Sequence, residues 1–230
     1  MDTAILQEDS LSNEFVTTRW LLACGVAAAP LFIGLNLIQV VTRQGYNFIH
    51  HPVSLLLLGD AGWVQFVNFV LTGILVIAYA YGVRRKLHPG HSGTWGALVI
   101  GLYGLGTVAA GIFPPDASFG FPPGAPEGVP AAMSMSGSVH GLGFAAVVVA
   151  VIAGSIILGR RFSLQKERTW AKYCYVTALC TPVLVVIGSV MGSNGNGGIP
   201  LFGVGLITSA WISLIALRLK AEELPGGRGK

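Results

Sequence analysis

Residues 139–158 read VHGLGFAAVVVAVIAGSIIL, and the chain continues at once with Gly159-Arg160-Arg161. No Asp, Glu, Lys or Arg interrupts these residues. As a helix they rise about 30 Å, which is the thickness of a bilayer's hydrocarbon core. A helix on the surface of a soluble domain would keep a polar face, and this one has none. The two arginines that close it are of the kind that hold a membrane helix at its cytoplasmic end. This stretch therefore fixes both the solvent and the direction of the chain through it.

Five further stretches of the same character lie on either side. With it they make six predicted spans: Trp20–Val41, Trp63–Gly82, Trp95–Phe113, Val139–Leu158, Tyr173–Met191 and Ile199–Leu217. The whole composition agrees: 53% of the residues are apolar and 10% are charged, against about 25% charged in soluble domains. At 230 residues the chain is long enough for one bundle rather than two domains. The fold class is all-α, a polytopic six-helix transmembrane bundle. Its organisation reads as a polar tail over residues 1–19, a membrane domain over 20–219 and a second tail over 220–230.

Orientation follows from the basic residues. Arg84, Arg85 and Lys86 follow the second span, and Arg160, Arg161, Lys166, Arg168 and Lys172 follow the fourth. Arg218, Lys220, Arg228 and Lys230 follow the sixth, and Arg19 precedes the first. The alternate loops hold only Arg43. The basic side is the cytoplasm, so both termini are cytoplasmic. Trp20, Trp95 and Trp170 then sit at the inner boundary and Trp63 at the outer one, where indoles favour the headgroup level. The formal charge of +4 is confined to loops and tails, which argues against nucleic acid as a partner. The bilayer is the expected partner; a protein partner is left open.

Small residues on the third span (Ala97, Gly101, Gly104, Gly106 and Ala110) and at the start of the fourth (Gly137 and Gly141) suit close helix packing in lipid. Pro30 and Pro182 fall inside the first and fifth spans, where a proline removes a backbone donor and bends the helix. Cys24, Cys174 and Cys180 lie within apolar stretches without ligand spacing and read as packing residues. Nothing in the sequence specifies a cofactor.

No charged residue lies inside any span, so an ion-coupled relay of buried carboxylates is not indicated. Neutral polar groups gather instead in the outer half: Asn36 and Gln39 on the first span, Gln65, Asn68 and Thr72 on the second, Thr107 on the third and Ser189 on the fifth. An amide in hydrocarbon needs a partner. These groups should face inward, either bonding to one another or lining a cavity open to the outside. A neutral stripe of Asn36, Gln39, Gln65 and Asn68 also admits a carrier or channel.

The outer loops add titratable groups. The first contains His50-His51-Pro52-Val53-Ser54 and ends at Gly59-Asp60. Its apolar run, residues 53–58, is too short to cross and should lie at the interface or dip in as a re-entrant turn. The third loop opens with Pro114-Pro115-Asp116 and leads to His140. His51, Ser54, Asn68, Asp116 and His140 are the candidate ligand-binding residues, for a lipid headgroup or another small molecule. Ser54, Asp116 and His140 have the residue types of a nucleophile, an orienting carboxylate and a base. His50, His51, Asp116 and His140 have those of a metal site with an open position. The bland alternative is that each bonds to loop backbone.

Taken together, Gly45-Tyr46, His51-x-x-Ser54, Gly59-Asp-Ala-Gly-Trp63, Asn68-Phe-x-x-x-Gly73, Gly111-Ile-Phe-Pro-x-Asp116 and His140-Gly141 resemble a bacterial six-helix integral membrane family, catalogued as domain of unknown function 998. The likeness spans roughly Trp20 to Lys220. It implies the fold, a multi-pass location in a bacterial cytoplasmic membrane, and no activity. Members of that family often carry a charged residue after the loop-one serine and a basic pair near the start of the sixth helix. Here Leu55 and the apolar residues 200–206 occupy those places, so a site built on those charges is altered or absent.

Overall fold

A computed structural model describes residues 2–222, with side chains from residue 16 onward. The C-terminal tail expected beyond Glu222, with Arg228 and Lys230, lies outside the described residues. Six α-helices form among the described residues: α1 (Asp2–Thr42), α2 (Gly62–Leu87), α3 (Ala97–Ile112), α4 (Met135–Leu164), α5 (Arg168–Gly192) and α6 (Gly198–Ala221). There is no strand among the described residues. Each of the six, α3 together with the π-helical turn Ser92–Gly96 before it, is long and apolar enough to cross a membrane. The protein is an all-α, multi-pass membrane protein.

The helices outrun the apolar stretches at their basic ends. α2 continues through Arg84, Arg85 and Lys86, and α4 through Arg160 and Arg161. Cations at a helix C-terminus meet the negative end of its dipole, and their long stems reach the headgroups. α1 runs unbroken back through the polar residues that precede Trp20. Each helix packs on its neighbours in sequence, and α6 closes onto α1, so the bundle is a ring of antiparallel neighbours.

Two close crossings set the spacing of this ring. A methyl group at Gly73 would stand 2.7 Å from the Gly104 carbonyl, and one at Gly104 would stand 2.8 Å from that of Gly73. Gly106 and Gly143 are related in the same way across α3 and α4, at 2.6 and 2.7 Å. Only glycine lets the backbones of α2, α3 and α4 approach so closely.

The half of the bundle toward the basic end is filled with apolar side chains, among them Leu22, Val76, Val83, Ile100, Val151, Leu158, Phe162 and Ile212, all buried. Within it, a side chain of α6 reaches the backbone of α1 one residue before Pro30. The Ser213 hydroxyl of α6 accepts from the Ala29 N–H at 2.9 Å and donates to the Gly25 carbonyl at 2.8 Å. Those two groups would pair with each other in an undisturbed helix. A side chain entering the ladder in this way is one of the known causes of helix bending. At the basic end Arg161 pairs with Glu222, and Arg218 with both Glu167 and Glu222, tying α4, α5 and α6 together.

Candidate functional site

The opposite half of the bundle is polar. Residues 53–57 of loop one form a short 3-10 turn that starts after Pro52. Val53, Leu55 and Leu56 are buried, and Val53 and Leu56 pack against Phe202 of α6. The turn is thus tucked into the end of the ring rather than lying flat on it, because its apolar side chains find a protein surface there.

Beneath the turn, the amides of α1 and α2 bond to one another. Gln65 is the hub. Its oxygen accepts from Gln39 at 2.6 Å and from Asn68 at 3.2 Å, and its nitrogen donates to Asn36 at 2.8 Å and to the Val53 carbonyl at 3.0 Å. Asn36 and Asn68 both donate to the Phe32 carbonyl. All four side chains are buried, so this network joins α1 to α2 and holds the 3-10 turn on top of them. None of the four lines the cavity described below.

The two loop-one histidines point to different places. His51 is buried; its Nδ1 accepts from the Asn47 N–H at 2.9 Å and its Nε2 lies 2.8 Å from the Phe119 carbonyl. A carbonyl only accepts, so the proton is on Nε2 and the ring is neutral with both nitrogens occupied. Burial also holds this imidazole below its ordinary pKa. His50 instead meets the Gly195 carbonyl at 2.7 Å. Loop one is fastened to loop three by one ring and to the glycine-rich loop five by the other.

Asp116 and His140 form a clasp between the end of α3 and the start of α4. The Asp116 carboxylate accepts from the Ser134 N–H at 3.0 Å. The Ser134 hydroxyl accepts from the Gly137 N–H at 2.9 Å, as an N-cap does. Hydrogen bonding to Ser134, side chain and backbone, holds the Asp116 carboxyl below its usual pKa. Gly137 leaves room for it, since a methyl there would stand 2.2 Å from Asp116 Oδ2. His140 serves the other strand of the clasp. Its Nδ1 lies 2.9 Å from the Ala110 carbonyl and 3.0 Å from that of Phe113. The helical donor to Ala110 would be residue 114, which is proline and has no N–H. The histidine supplies the missing proton. Nδ1 must therefore carry a proton, and in the neutral ring Nε2 carries the lone pair.

That second nitrogen has no protein partner among the described residues, and its ring lines a cavity of about 220 Å³ in the centre of the polar half. Ser54, Tyr103, Thr107 and Thr208 bring hydroxyls to the same cavity, and Phe32, Phe69 and Phe144 are among its apolar walls. Ser54 and His140 keep partial exposure. Thr107 and Thr208 donate to carbonyls of their own helices, at 2.9 and 3.3 Å, so toward the cavity they offer lone pairs. No charged side chain lines it among the described residues.

Of the five candidate ligand-binding residues, the fold thus brings Ser54 and His140 to one cavity. His51 and Asp116 are engaged with loop backbone, and Asn68 is engaged with Gln65 and Phe32. No hydrogen bond joins Ser54 to His140 among the described residues, and Asp116 bonds to Ser134 rather than to a histidine. No three His, Cys, Asp or Glu side chains gather at metal-ligand spacing among the described residues. The sequence reading missed Thr208 and the aromatic walls. A threonine three residues after Gly205 in an apolar run carries no local mark of function; only the register of α6 against α3 and α4 gives it one.

Residues 26–218 match the family model described as a protein of unknown function, DUF998. The chain belongs to this family. Curated proteins and solved structures give no significant match. In this DUF998 chain the matched range holds every element that builds the cavity and the clasp beside it.

Proposed function

We propose that this DUF998 chain, in a bacterial cytoplasmic membrane with its basic end inward, binds a small uncharged amphiphile in its outer-half cavity. The observation that carries the reading is the His140 ring, fixed by Nδ1 on two backbone carbonyls with Nε2 left for a ligand. An imidazole oriented through its far nitrogen is how proteins commonly set a histidine to receive a partner. His140 Nε2 is an acceptor, so the ligand supplies a hydrogen-bond donor to it, while the Ser54 and Tyr103 hydroxyls can donate or accept. The lining offers no cation, so a bare phosphate headgroup would be left unpaired at high cost. A dry cavity of 150 Å³ holds benzene, so by proportion 220 Å³ admits about nine heavy atoms.

Indole and indene make a matched pair of probes. They share size and shape, but only indole has an N–H. The protein in detergent should be stabilised against heat more by indole than by indene, and His140→Phe should abolish the difference. Equal effects of the two probes on the unmodified protein would defeat the reading.

A hydrolase reading draws on the presence of Ser54 and His140 in one cavity, with the Ala110 and Phe113 carbonyls orienting the base in place of a carboxylate. Covalent labelling by a serine-reactive phosphonate, lost in Ser54→Ala, would favour it over simple binding. Absence of labelling in the folded protein would remove it.

A further inference from the structure

A second recess lies on the outside of the ring, between α2 and α3. It holds about 650 Å³ and is lined by Ala80, Tyr81 and Arg84 of α2 and by Thr94, Ala97, Leu98, Gly101, Leu102 and Leu105 along α3 and the turn before it. Its floor is made by small residues: a methyl at Gly101 would touch only the Ala80 Cβ, at 3.8 Å. Its walls are exposed apolar side chains, with Tyr81, Leu98 and Leu105 each more than half exposed.

One end of this groove is charged. Arg84 Nη1 donates to the Thr94 hydroxyl at 2.5 Å, which fixes the guanidinium at the mouth. It has no carboxylate partner among the described residues. Leu105, at the far end, is eleven residues beyond Thr94, or about 16 Å along a helix. Half of a hydrocarbon core is about 15 Å. The groove therefore begins at the headgroup level of the basic end and stops at the middle of the bilayer.

From this we infer that the α2–α3 groove is a binding site for an anionic phospholipid of the leaflet on the basic side. One acyl chain lies over Ala80, Ala97 and Gly101, and the phosphate pairs with Arg84. A guanidinium offers a phosphate two parallel N–H donors. The site lies on the outer surface of α2 and α3 and does not depend on the central cavity.

The test is native mass spectrometry of the full chain in detergent with equal amounts of phosphatidylglycerol and phosphatidylcholine. The unmodified protein should retain the anionic lipid preferentially. One basic side chain near a membrane surface is worth about a fivefold preference, so Arg84→Gln should lower the selectivity by about that factor. Arg84→Lys keeps the charge without the fork and should retain most of the selectivity. Arg160→Gln removes an exposed charge at the same end but away from the groove, and should also keep it. Gly101→Leu fills the floor and should reduce retention of both lipids. The site is refuted if Arg84→Gln is no more damaging than Arg160→Gln, or if Gly101→Leu leaves retention unchanged. It is equally refuted if the groove carries no lipid and Gly101→Leu instead dissociates a dimer.

Discussion

Replacing His140 with phenylalanine separates the two jobs of its ring. The larger ring keeps a neighbour for Phe69, whose centroid lies 6.4 Å from that of the histidine, but it has no Nδ1–H. Two carbonyls lose their donor. That of Phe113 follows the last turn of α3 beside a side chain that is 40% exposed, where water can replace the histidine. That of Ala110 belongs to a residue only 3% exposed, and Pro114 offers it nothing. One buried orphan is therefore created, and such a group costs about 1–3 kcal/mol. His140→Asn is the matched control, because its amide N–H comes near the place of Nδ1 and should restore more than half of the loss. The assay is reversible unfolding in mixed micelles, titrated with a denaturing detergent and followed by helical circular dichroism. If the phenylalanine variant unfolds at the same detergent fraction as the parent, or if both variants lose equally, the imidazole is not held through Nδ1 and the argument for a free Nε2 fails.

Other consequences are open to the same assay. Ser213→Ala removes the hydroxyl that bridges Ala29 and Gly25, and should cost about 1 kcal/mol, within the range of side-chain hydrogen bonds in membrane bundles; no loss would mean that the bridge does not form. Gly106→Ala places a methyl 2.6 Å from the Gly143 carbonyl and should cost about 1–3 kcal/mol by overpacking. Gly34→Ala, where nothing lies within 4 Å, should be neutral, and equal losses at the two sites would undo the crossing argument. Asp116 has a lowered pKa in the folded protein, so its contribution is complete above the unfolded value of about 3.9 and disappears as pH falls through the folded value. Amide exchange at residues 134–137, corrected for its intrinsic pH dependence, should therefore rise in that acid range and not above it. Asp116→Asn should flatten the rise, and an unchanged profile would exclude the carboxylate as its source.

The fold was legible because the solvent wrote it: each span needed only length and the absence of charge, and no knowledge of its neighbours. The cavity was not, because it depends on register between helices. Pro30 announced a missing donor for the Val26 carbonyl, but nothing near it announced that Ser213, on another helix, bridges the neighbouring Ala29 N–H and Gly25 carbonyl. The amides of Asn36, Gln39, Gln65 and Asn68 announced inward-facing partners, and the structure shows those partners to be one another. Asp116 and His140 share a region, but each caps a helix end, a role that their types do not distinguish from catalysis. One sign was present and overlooked. Pro114 lies four residues after Ala110, so the carbonyl of Ala110 needed a donor from elsewhere, and a histidine at the start of the following helix is well suited to give it.

The most direct measurement of the central claim is the ¹⁵N spectrum of the His140 imidazole, in protein labelled at histidine and assigned with His140→Phe. The account expects a neutral ring with its proton on Nδ1. Indole should move the Nε2 resonance toward that of a hydrogen-bonded acceptor, and indene should leave it in place. A ring protonated on Nε2, or an Nε2 signal indifferent to indole at saturation of any binding, would contradict the account.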